Sequence, residues 1–307
     1  MRLDTGVIRE LHWHKEAEWA YVLSGSVRVT TIDVDGGYFI DDVNEGDLWY
    51  FPSGYPHSLQ GLGPNGTEFL LVFDNGEFSE ESTFLLTDWL AHTPKAVLAE
   101  NFRLKPQIFR GLPKNEKYIF QGSAPGSIDE EAPNGKYVKK SKLKFTHKML
   151  AQEPLRASGG LVRITDSSNF PISTTVAAAH LIIKPGALRE MHWHPNADEW
   201  SFFIKGRARM TIFGAEGKAR TFDYMAGDVG IVPQNMGHFI ENLSDDEPIE
   251  VLEIFRADRF RDFSLFQWLG ETPRRMVADT LFAGDKEAGE RFLKAIEEAE
   301  KDPIKSI

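Results

Sequence analysis

The chain has 307 residues, 41% of them hydrophobic, which is enough for one large or two ordinary folded domains and excludes a disordered chain. Its 35 basic and 46 acidic residues give a net charge of -11, which argues against nucleic acid or an anionic membrane as the main partner. Without cysteine, the chain has no disulfide, no thiolate nucleophile and no sulfur-ligated metal. No apolar run approaches the ~20 residues that span a bilayer, and the first residues lack a signal-peptide pattern, so we expect a soluble, cytoplasmic protein.

In chain order, the first half begins with short strands. Alternating runs at 19–23, 26–32 and 68–73 are separated by turns of Gly, Pro, Asn and Asp. A helix-like stretch follows at 83–101. The segment from about 105 to 147 is rich in turn residues and lysines and has the composition of a linker between domains.

The second half follows a similar order, with strand-like runs at 161–164 and 175–184, a helix-like stretch at 263–278 and a charged helix around 285–301. Evenly spaced short strands predict all-β barrels with helices packed outside them. Only eleven residues precede the first histidine of the first half, so we expect that barrel to lack its opening strands or to receive them from a partner. The predicted organisation is an N-terminal domain at 1–104, a linker at 105–147, and a C-terminal domain with a terminal helix at 148–307.

An internal repeat organises the chain. The tripeptide HWH occurs at 12–14 and again at 192–194, 180 residues later. Further identities keep the same register, with one extra residue after the second HWH: Gly6 and Gly186, Arg9 and Arg189, Glu18 and Glu199, Gly25 and Gly206, Gly46-Asp47 and Gly227-Asp228, Pro52 and Pro233, and His57 and His238. The sequence therefore contains two homologous modules.

The repeated histidines have the spacing of metal ligands. Successive side chains on a strand point to opposite faces, so His12 and His14 point the same way and Glu18 shares their parity. In the second module the odd count before Glu199 requires a bulge or loop at 195–196. A histidine on a neighbouring strand completes each set, which gives His12, His14, Glu18 and His57 in one module and His192, His194, Glu199 and His238 in the other.

Three imidazoles and one carboxylate suit Mn, Fe, Co, Ni or Zn and leave coordination positions open for water or substrate. For a single HxH pair, structural histidines on a sheet are an equal alternative, but four ligands duplicated in register argue against it. Three further histidines have no counterpart in the other half and are predicted to be structural: His92, His147 and His180.

These residues resemble the cupins, and specifically the bicupin oxalate decarboxylases. The two cupin signatures, G-x5-H-x-H-x(3,4)-E-x6-G and G-x5-P-x-G-x2-H-x3-N, are read at 6–25 with 46–57 and at 186–206 with 227–242. Gly61 replaces the final Asn of the first module, and Asn235 replaces a Gly of the second. The resemblance covers nearly the whole chain. It implies two tandem double-stranded β-helix (jelly-roll) barrels, one Mn in each barrel, dioxygen as co-catalyst, conversion of oxalate to formate and CO2, and assembly into trimers or hexamers.

Two kinds of residue serve the reaction. A small dianion needs a local cation in an acidic protein, and Arg9 is the candidate, with Arg189 as its twin. After the last strand, the first module carries a three-residue insertion within 79–83, a polar loop that predicts a lid. The family's lid reads SENST, and the resemblance assigns proton donation to its glutamate, here Glu80, while Glu81 replaces the lid asparagine.

The second module lacks the insertion but has Glu253 where the first has Leu71, and the resemblance makes Glu253 a carboxylate near the second metal. We expect the first site to carry the main chemistry, and the second to serve structure, electron storage or residual activity. Two alternatives remain: an oxalate oxidase, which uses the same ligands and yields peroxide, and a catalytically inactive metal-binding bicupin.

Overall fold

Alternating apolar and polar residues form strands through most of the chain in a computed structural model, which describes residues 1–299. By its internal contacts the chain divides into two units, Met1–Leu150 and Ala151–Ile307. The first unit holds ten strands in one curled sheet: β1 (Arg2–Leu3), β2 (Val7–Trp13), β3 (Glu18–Ile32), β4 (Tyr38–Asn44), β5 (Leu48–Phe51), β6 (His57–Gly61), β7 (Thr67–Phe73), β8 (Phe84–Leu85), β9 (Ile119–Gln121) and β10 (Thr146–His147).

Strand β3 joins the two faces of the first unit. Its first half pairs with β5 and β7, and its second half pairs with β4 and β6, all antiparallel. The change of partner falls at Gly25, whose φ of 74° lies in the left-handed region that favours glycine. A Cβ at this position would clash with the carbonyl oxygen of Gly66. This steric restriction explains why the first module has glycine at this position of the repeat.

The described part of the second unit holds eleven strands: β11 (Leu155–Ala157), β12 (Gly160–Thr165), β13 (Ala177–Ile183), β14 (Leu188–Trp193), β15 (Glu199–Lys205), β16 (Arg207–Phe213), β17 (Ala219–Met225), β18 (Val229–Val232), β19 (Gly237–Asn242), β20 (Ile249–Phe255) and β21 (Phe263–Ser264). They form a six-stranded sheet in the order β11-β12-β13-β20-β15-β18 and a five-stranded sheet in the order β17-β16-β19-β14-β21. Apolar side chains of both sheets, such as Leu181, Phe203, Met210 and Val251, are buried in one core cluster.

Short helices accompany the strands: α1 (Leu86–Ala91), α2 (Lys95–Phe102) and α3 (Ile128–Glu131) in the first unit, and α4 (Leu265–Glu271), α5 (Arg274–Leu281) and α6 (Lys286–Ala299) in the second. Each predicted helix-like stretch after the strands is split in two. Pro94 and Pro273 are the reason, because proline disfavours helical geometry in the residue before it and begins a new helix after it. The predicted charged helix corresponds to α6, and its end at 300–301 lies outside the described residues.

The segment 105–147 lies within the first unit and pairs with its other strands. Strand β9 pairs with β2, and β10 pairs with β5. Phe145 is fully buried with its ring 5.2 Å from that of Phe39. The division of the chain into three parts stays a prediction. Among residues 1–299, no helix combines the length and the apolar character that crossing a bilayer requires.

Candidate active site and metal centres

The first histidine cluster lies where three strands of the first unit meet. Strand β2 carries His12 and is followed directly by His14, β3 begins with Glu18, and β6 begins with His57. Antiparallel pairing of β2 with β6 places His12 opposite His57. All four side chains are buried, and each offers a ligand atom within 4.8 Å of the others. We call this set the first cage.

Backbone carbonyls orient the three imidazoles of the first cage. Their Nδ1 atoms lie 2.6, 2.7 and 2.8 Å from the carbonyl oxygens of Glu10, Glu16 and Tyr55, in the order His12, His14 and His57. A carbonyl only accepts, so each Nδ1 carries the proton and each Nε2 keeps a free lone pair. Within the described chain, the buried Nε2 of His57 has no hydrogen-bond partner. This is the arrangement that a metal ion requires of its histidine ligands.

The second cage repeats the first. His192 lies on β14, Glu199 begins β15, and His238 pairs with His192 across β14 and β19. The four ligand atoms, including one from His194, again lie within 4.8 Å of one another. The extra residue of this module lies in a bend at 195–197, as the odd spacing requires.

In each cage, one oxygen of the carboxylate accepts a hydrogen bond from a residue outside the ligand set. Trp49 donates from Nε1 to Glu18 Oε1 at 2.9 Å, and Ser201 donates to Glu199 Oε1 at 2.5 Å. The other oxygen of each carboxylate faces the imidazoles, at 3.3 Å from His14 Nε2 in the first cage. One oxygen per carboxylate thus remains directed into each cage.

The electrostatics of the cages favour neutral His12 and His192 and ionised Glu18 and Glu199. Burial, reinforced by the charges of His57 and Arg9, lowers the pKa of His12 to about 2. Burial also lowers the pKa of His192 well below its ordinary value. Burial acts against ionisation of Glu18, but the charge of His57 and the hydrogen bond and charge of His14 outweigh it and hold the pKa of Glu18 well below its usual range. Burial also opposes protonation of His14, but the hydrogen bond and charge of Glu18 outweigh it and raise the pKa of that histidine. Imidazoles bind metals in the neutral form, so a bound metal would take the place of any proton shared by His14 and Glu18. The two sets fit two metal ions per chain.

Arg9 and Glu80 meet at the first cage. Residues 79–83, the lid loop, form a short 3₁₀ turn at Glu80–Ser82. Arg9 is buried and donates from Nη2 to Glu80 Oε1 at 2.5 Å. Its guanidinium lies 4.2 Å from the ring centre of Tyr118. Tyr118 also hydrogen-bonds to Glu80, and this contact helps to raise the tyrosine pKa, although burial is the larger cause.

Glu80 of the lid loop lines a small cavity at the first cage. The cavity between Arg9, Glu80 and the cage ligands has a volume of about 10 Å³. This is room for a single water or ion, since one water-sized sphere needs roughly 10–15 Å³. A six-atom dianion does not fit while Glu80 occupies Arg9.

The second cage has a different acid beside its arginine. Arg189 is buried and donates from Nη2 to Asp262 Oδ2 at 2.7 Å. Asp262 was not predicted from the sequence, although it follows Phe260 by two residues, just as Glu80 follows Phe78. The repeat alignment therefore contained the signal. Tyr118 was not predicted either, and it has no counterpart in the second module that would have marked it.

Glu253 lies on β20, and its place in the first unit is taken by Leu71, which lines the first cavity. Glu253 is fully buried, and within residues 1–299 neither of its carboxyl oxygens has a hydrogen-bond partner. Burial and the charge of Glu199 raise its pKa well above the ordinary value, against the opposing charge of Arg189. The raised pKa favours the uncharged form of this carboxyl group, which lies next to the second cage.

The other histidines lie away from both cages. His92 is an exposed residue that ends α1 and pairs with Asp88, and His147 is on β10. His180 is buried on β13, with its Nε2 2.7 Å from Glu250 Oε1.

Comparisons with known proteins agree with this architecture. The cupin family model matches residues 1–109 and 147–288. Oxalate decarboxylase OxdC of Bacillus subtilis (strain 168) is 53% identical over 307 residues, which cover 99% of this chain and 77% of that protein. A probable oxalate decarboxylase of Arthroderma benhamiae is 43% identical over 279 residues, covering 91% of this chain and 69% of the relative.

Solved structures give the same result. A variant of the Bacillus subtilis enzyme in which the segment SENS is changed to DSSN superposes with a TM-score of 0.90 at 53% identity, and covers 96% of this chain and 76% of that chain. Two cupin domains with a duplicated cage define the class as a bicupin, which confirms the predicted all-β fold. The chain belongs to the bicupin oxalate decarboxylases.

Proposed function

We propose that this protein is a manganese-dependent oxalate decarboxylase, in which one oxalate dianion and one proton become formate and CO2. The observation that carries the proposal is the meeting of a buried cation, Arg9, and an acid on an inserted loop, Glu80, at the first cage. The named activity of the relatives supports the same reaction.

Each cage would hold one Mn through three Nε2 atoms and one carboxylate oxygen. Bound manganese, with dioxygen as co-catalyst, would supply the transient removal of one electron from oxalate that makes loss of CO2 easy. The remaining work falls to the protein: it has to bind the dianion, keep water out, and deliver a proton to the carbon that becomes formate.

Arg9 binds the substrate carboxylate. The ring of Tyr118 packs against its guanidinium and fixes the orientation of the N–H donors that face the substrate. Because the closed cavity of about 10 Å³ holds no oxalate, the substrate has to displace Glu80 from Arg9 as the lid loop opens. Oxalate binding and lid opening are therefore coupled, because both require Glu80 to leave Arg9.

Glu80 donates the proton. Once oxalate has displaced it from Arg9, the Glu80 carboxylate takes up a proton from solvent. When the lid returns over bound oxalate, the acid lies beside the substrate instead of on Arg9, next to the carbon that has lost CO2. Tyr118 hydrogen-bonds to Glu80 and guides that return. Without a timely proton, the one-electron-oxidised fragment is oxidised further to CO2, and dioxygen is reduced to peroxide.

The second site is a secondary centre in this proposal. Glu253, a buried carboxyl group whose pKa is raised, and Arg189 lie beside the second cage, so the site has an acid that could support residual proton transfer. We further propose that the protein is cytoplasmic and forms homo-oligomers, trimers or hexamers, as the family resemblance implies.

The test is product identification with the purified, manganese-loaded protein and carbon-13 oxalate at mildly acidic pH. Equal amounts of formate and CO2 with little peroxide are expected. Peroxide without formate would make the protein an oxidase, an outcome that the acidic neighbour Glu81 on the lid loop would then help to explain. Neither product at about two bound Mn per chain would indicate a catalytically inactive metal-binding bicupin.

A further inference from the structure

Glu10 is a buried carboxylate beside the first cage that has no role in the mechanism above. It lies on β2 between Arg9 and the ligand His12, and its side chain is almost fully buried. Its backbone carbonyl accepts the Nδ1 proton of His12 at 2.6 Å. Its side chain does not belong to the cage, so another function has to account for a buried charge at this position.

The carboxylate of Glu10 collects hydrogen bonds from two separate parts of the first unit. Thr87 donates to it from both its backbone N–H, at 3.0 Å, and its hydroxyl, at 2.9 Å. Lys117 and Tyr118 donate their backbone N–H groups at 2.9 and 2.7 Å. A buried carboxylate with this many donors is strongly held, and so are the groups that donate to it.

Both parts support the lid loop. Thr87 is the second residue of α1 and lies just after residues 79–83, so it anchors the C-terminal end of the loop. Tyr118 packs its ring on Arg9 and hydrogen-bonds to Glu80. Glu10 also donates its own backbone N–H to the carbonyl of Tyr118 at 3.0 Å. Through one side chain, the end of the lid and the residue that receives it are fixed to the strand that carries His12.

We propose that Glu10 is a positioning residue for the lid, which sets where Glu80 arrives when the loop closes. It acts through Thr87 and Tyr118 and does not touch the substrate. The proposal rests on the proposed decarboxylase function, because its consequence is a proton delivered on time. Loosening this anchor slows the return of Glu80 and diverts turnover from formate to peroxide.

The second module offers a matched control. Glu190, the counterpart of Glu10, accepts a hydrogen bond at 2.8 Å from Ser264, the residue that precedes α4. In the described chain its other oxygen has no partner. Among the residues of that unit up to 299, nothing equivalent to Lys117 and Tyr118 donates to it, and the sequence has no inserted lid. The same substitution at the two positions therefore separates anchoring of the lid from a general effect of changing the carboxyl group that lies two residues before a cage histidine.

The experiment compares the Glu10→Gln and Glu190→Gln variants as manganese-loaded full chains. Glutamine keeps the size of the side chain but replaces one accepting oxygen by an NH2 group that faces N–H donors. For Glu10→Gln we expect the ratio of formate to peroxide to fall at least about tenfold, because losing a hydrogen bond to a charged group shifts an equilibrium by about that factor or more. Manganese content should stay unchanged, and hydrogen exchange of the peptide containing 79–87 should become faster. Glu190→Gln should keep the wild-type ratio and the wild-type lid exchange.

An unchanged ratio and unchanged exchange in Glu10→Gln would overturn the proposal, as would an equal fall in Glu190→Gln. If Glu10→Gln does not fold, Thr87→Val decides, since it removes only the hydroxyl that Glu10 holds and should shift ratio and exchange in the same direction. A wild-type protein that releases no formate would refute the proposed function instead. The lid-exchange comparison would still test the anchoring role in that case.

Discussion

Arg9 and Glu80 lie 2.5 Å apart, between Nη2 and Oε1, although 71 residues separate them in the chain. The second unit contains the same kind of pair, Arg189 with Asp262, at 2.7 Å. The two acids differ in what holds them. Asp262 lies on a short loop whose backbone is fixed by His194, which donates from Nδ1 to the carbonyl of Arg261.

The same loop has further supports. Asp166 accepts the backbone N–H of Phe260, and Asn196 donates to the carbonyl of Arg259. In the first unit the corresponding histidine, His14, is oriented by Glu16 and not by the lid. The lid loop can therefore move without disturbing a cage ligand, whereas the loop of the second unit cannot. This difference is the structural reason to assign proton delivery to the first site.

Replacing Glu80 by Gln should abolish formate release while metal stays bound. General acid catalysis contributes roughly 10²–10⁴-fold, so formate production should fall by about that factor and peroxide should rise relative to it. The measurement is formate and peroxide per Mn. Glu81→Gln is the control and should retain formate release, since Glu81 lies on the same loop but does not contact Arg9 in the structure. Unchanged turnover in Glu80→Gln would remove Glu80 as the donor.

Replacing Arg9 by Lys should weaken both oxalate binding and catalysis. Lysine keeps the charge but loses the planar donor pair and the stacking on Tyr118. We expect kcat/KM for oxalate to fall about 10- to 100-fold, the range for hydrogen bonds to a charged group. Steady-state kinetics of Arg9→Lys and Arg189→Lys check this. An equal or larger loss in the Arg189 variant would move the main site to the second unit.

The residues of both ligand sets and the two arginines could be predicted from the sequence, because each set has a local spacing that occurs twice in the chain. Ligands on strands obey strand parity, and the repeat removes most of the ambiguity of a single HxH pair. Tyr118 could not be found in this way. It lies 109 residues from Arg9, in a segment with the composition of a linker, and its backbone has a φ of 58° that no local pattern announces.

The anchoring by Glu10 could not be predicted either, because three of its four donor groups are backbone N–H groups, which do not depend on residue identity. Asp262 is a different case. Its signal is present in the alignment of the two modules, where Asp262 follows Phe260 by two residues as Glu80 follows Phe78, although the shorter loop carries no lid. The site residues that the sequence does not predict thus depend on long-range contacts and on the conformations of loops.

The pair His180 and Glu250 should make the stability of the second unit depend on pH. The hydrogen bond from His180 lowers the pKa of Glu250 below its ordinary value of 4.5, against partial burial. As the pH falls below about 4.5, the unfolded chain takes up this proton before the folded chain does, so the stabilisation is lost on acidification. It is fully present at neutral pH.

Replacing Glu250 by Gln should therefore destabilise the protein by about 1–3 kcal/mol near neutral pH, with a difference that shrinks as the pH is lowered through and below 4.5. Melting temperatures of variant and wild type over this range are the measurement. Glu290→Gln on the exposed face of α6 is the control and should show no such trend. A difference that grows on acidification would contradict the assigned direction of the pKa shift.

Removing one ligand from either cage should remove one metal ion. His57 and His238 each supply a buried Nε2, and the cage loses an irreplaceable donor when either becomes alanine. We expect manganese to fall from about two to about one ion per chain in each variant, measured by elemental analysis, and the melting temperature to fall with it because bound metal stabilises the folded state. His92→Ala changes an exposed histidine and should retain both ions.

Formate release should be lost in His57→Ala and largely kept in His238→Ala if the first cage is the main site. Two ions retained in His57→Ala would mean that these imidazoles do not bind the metal.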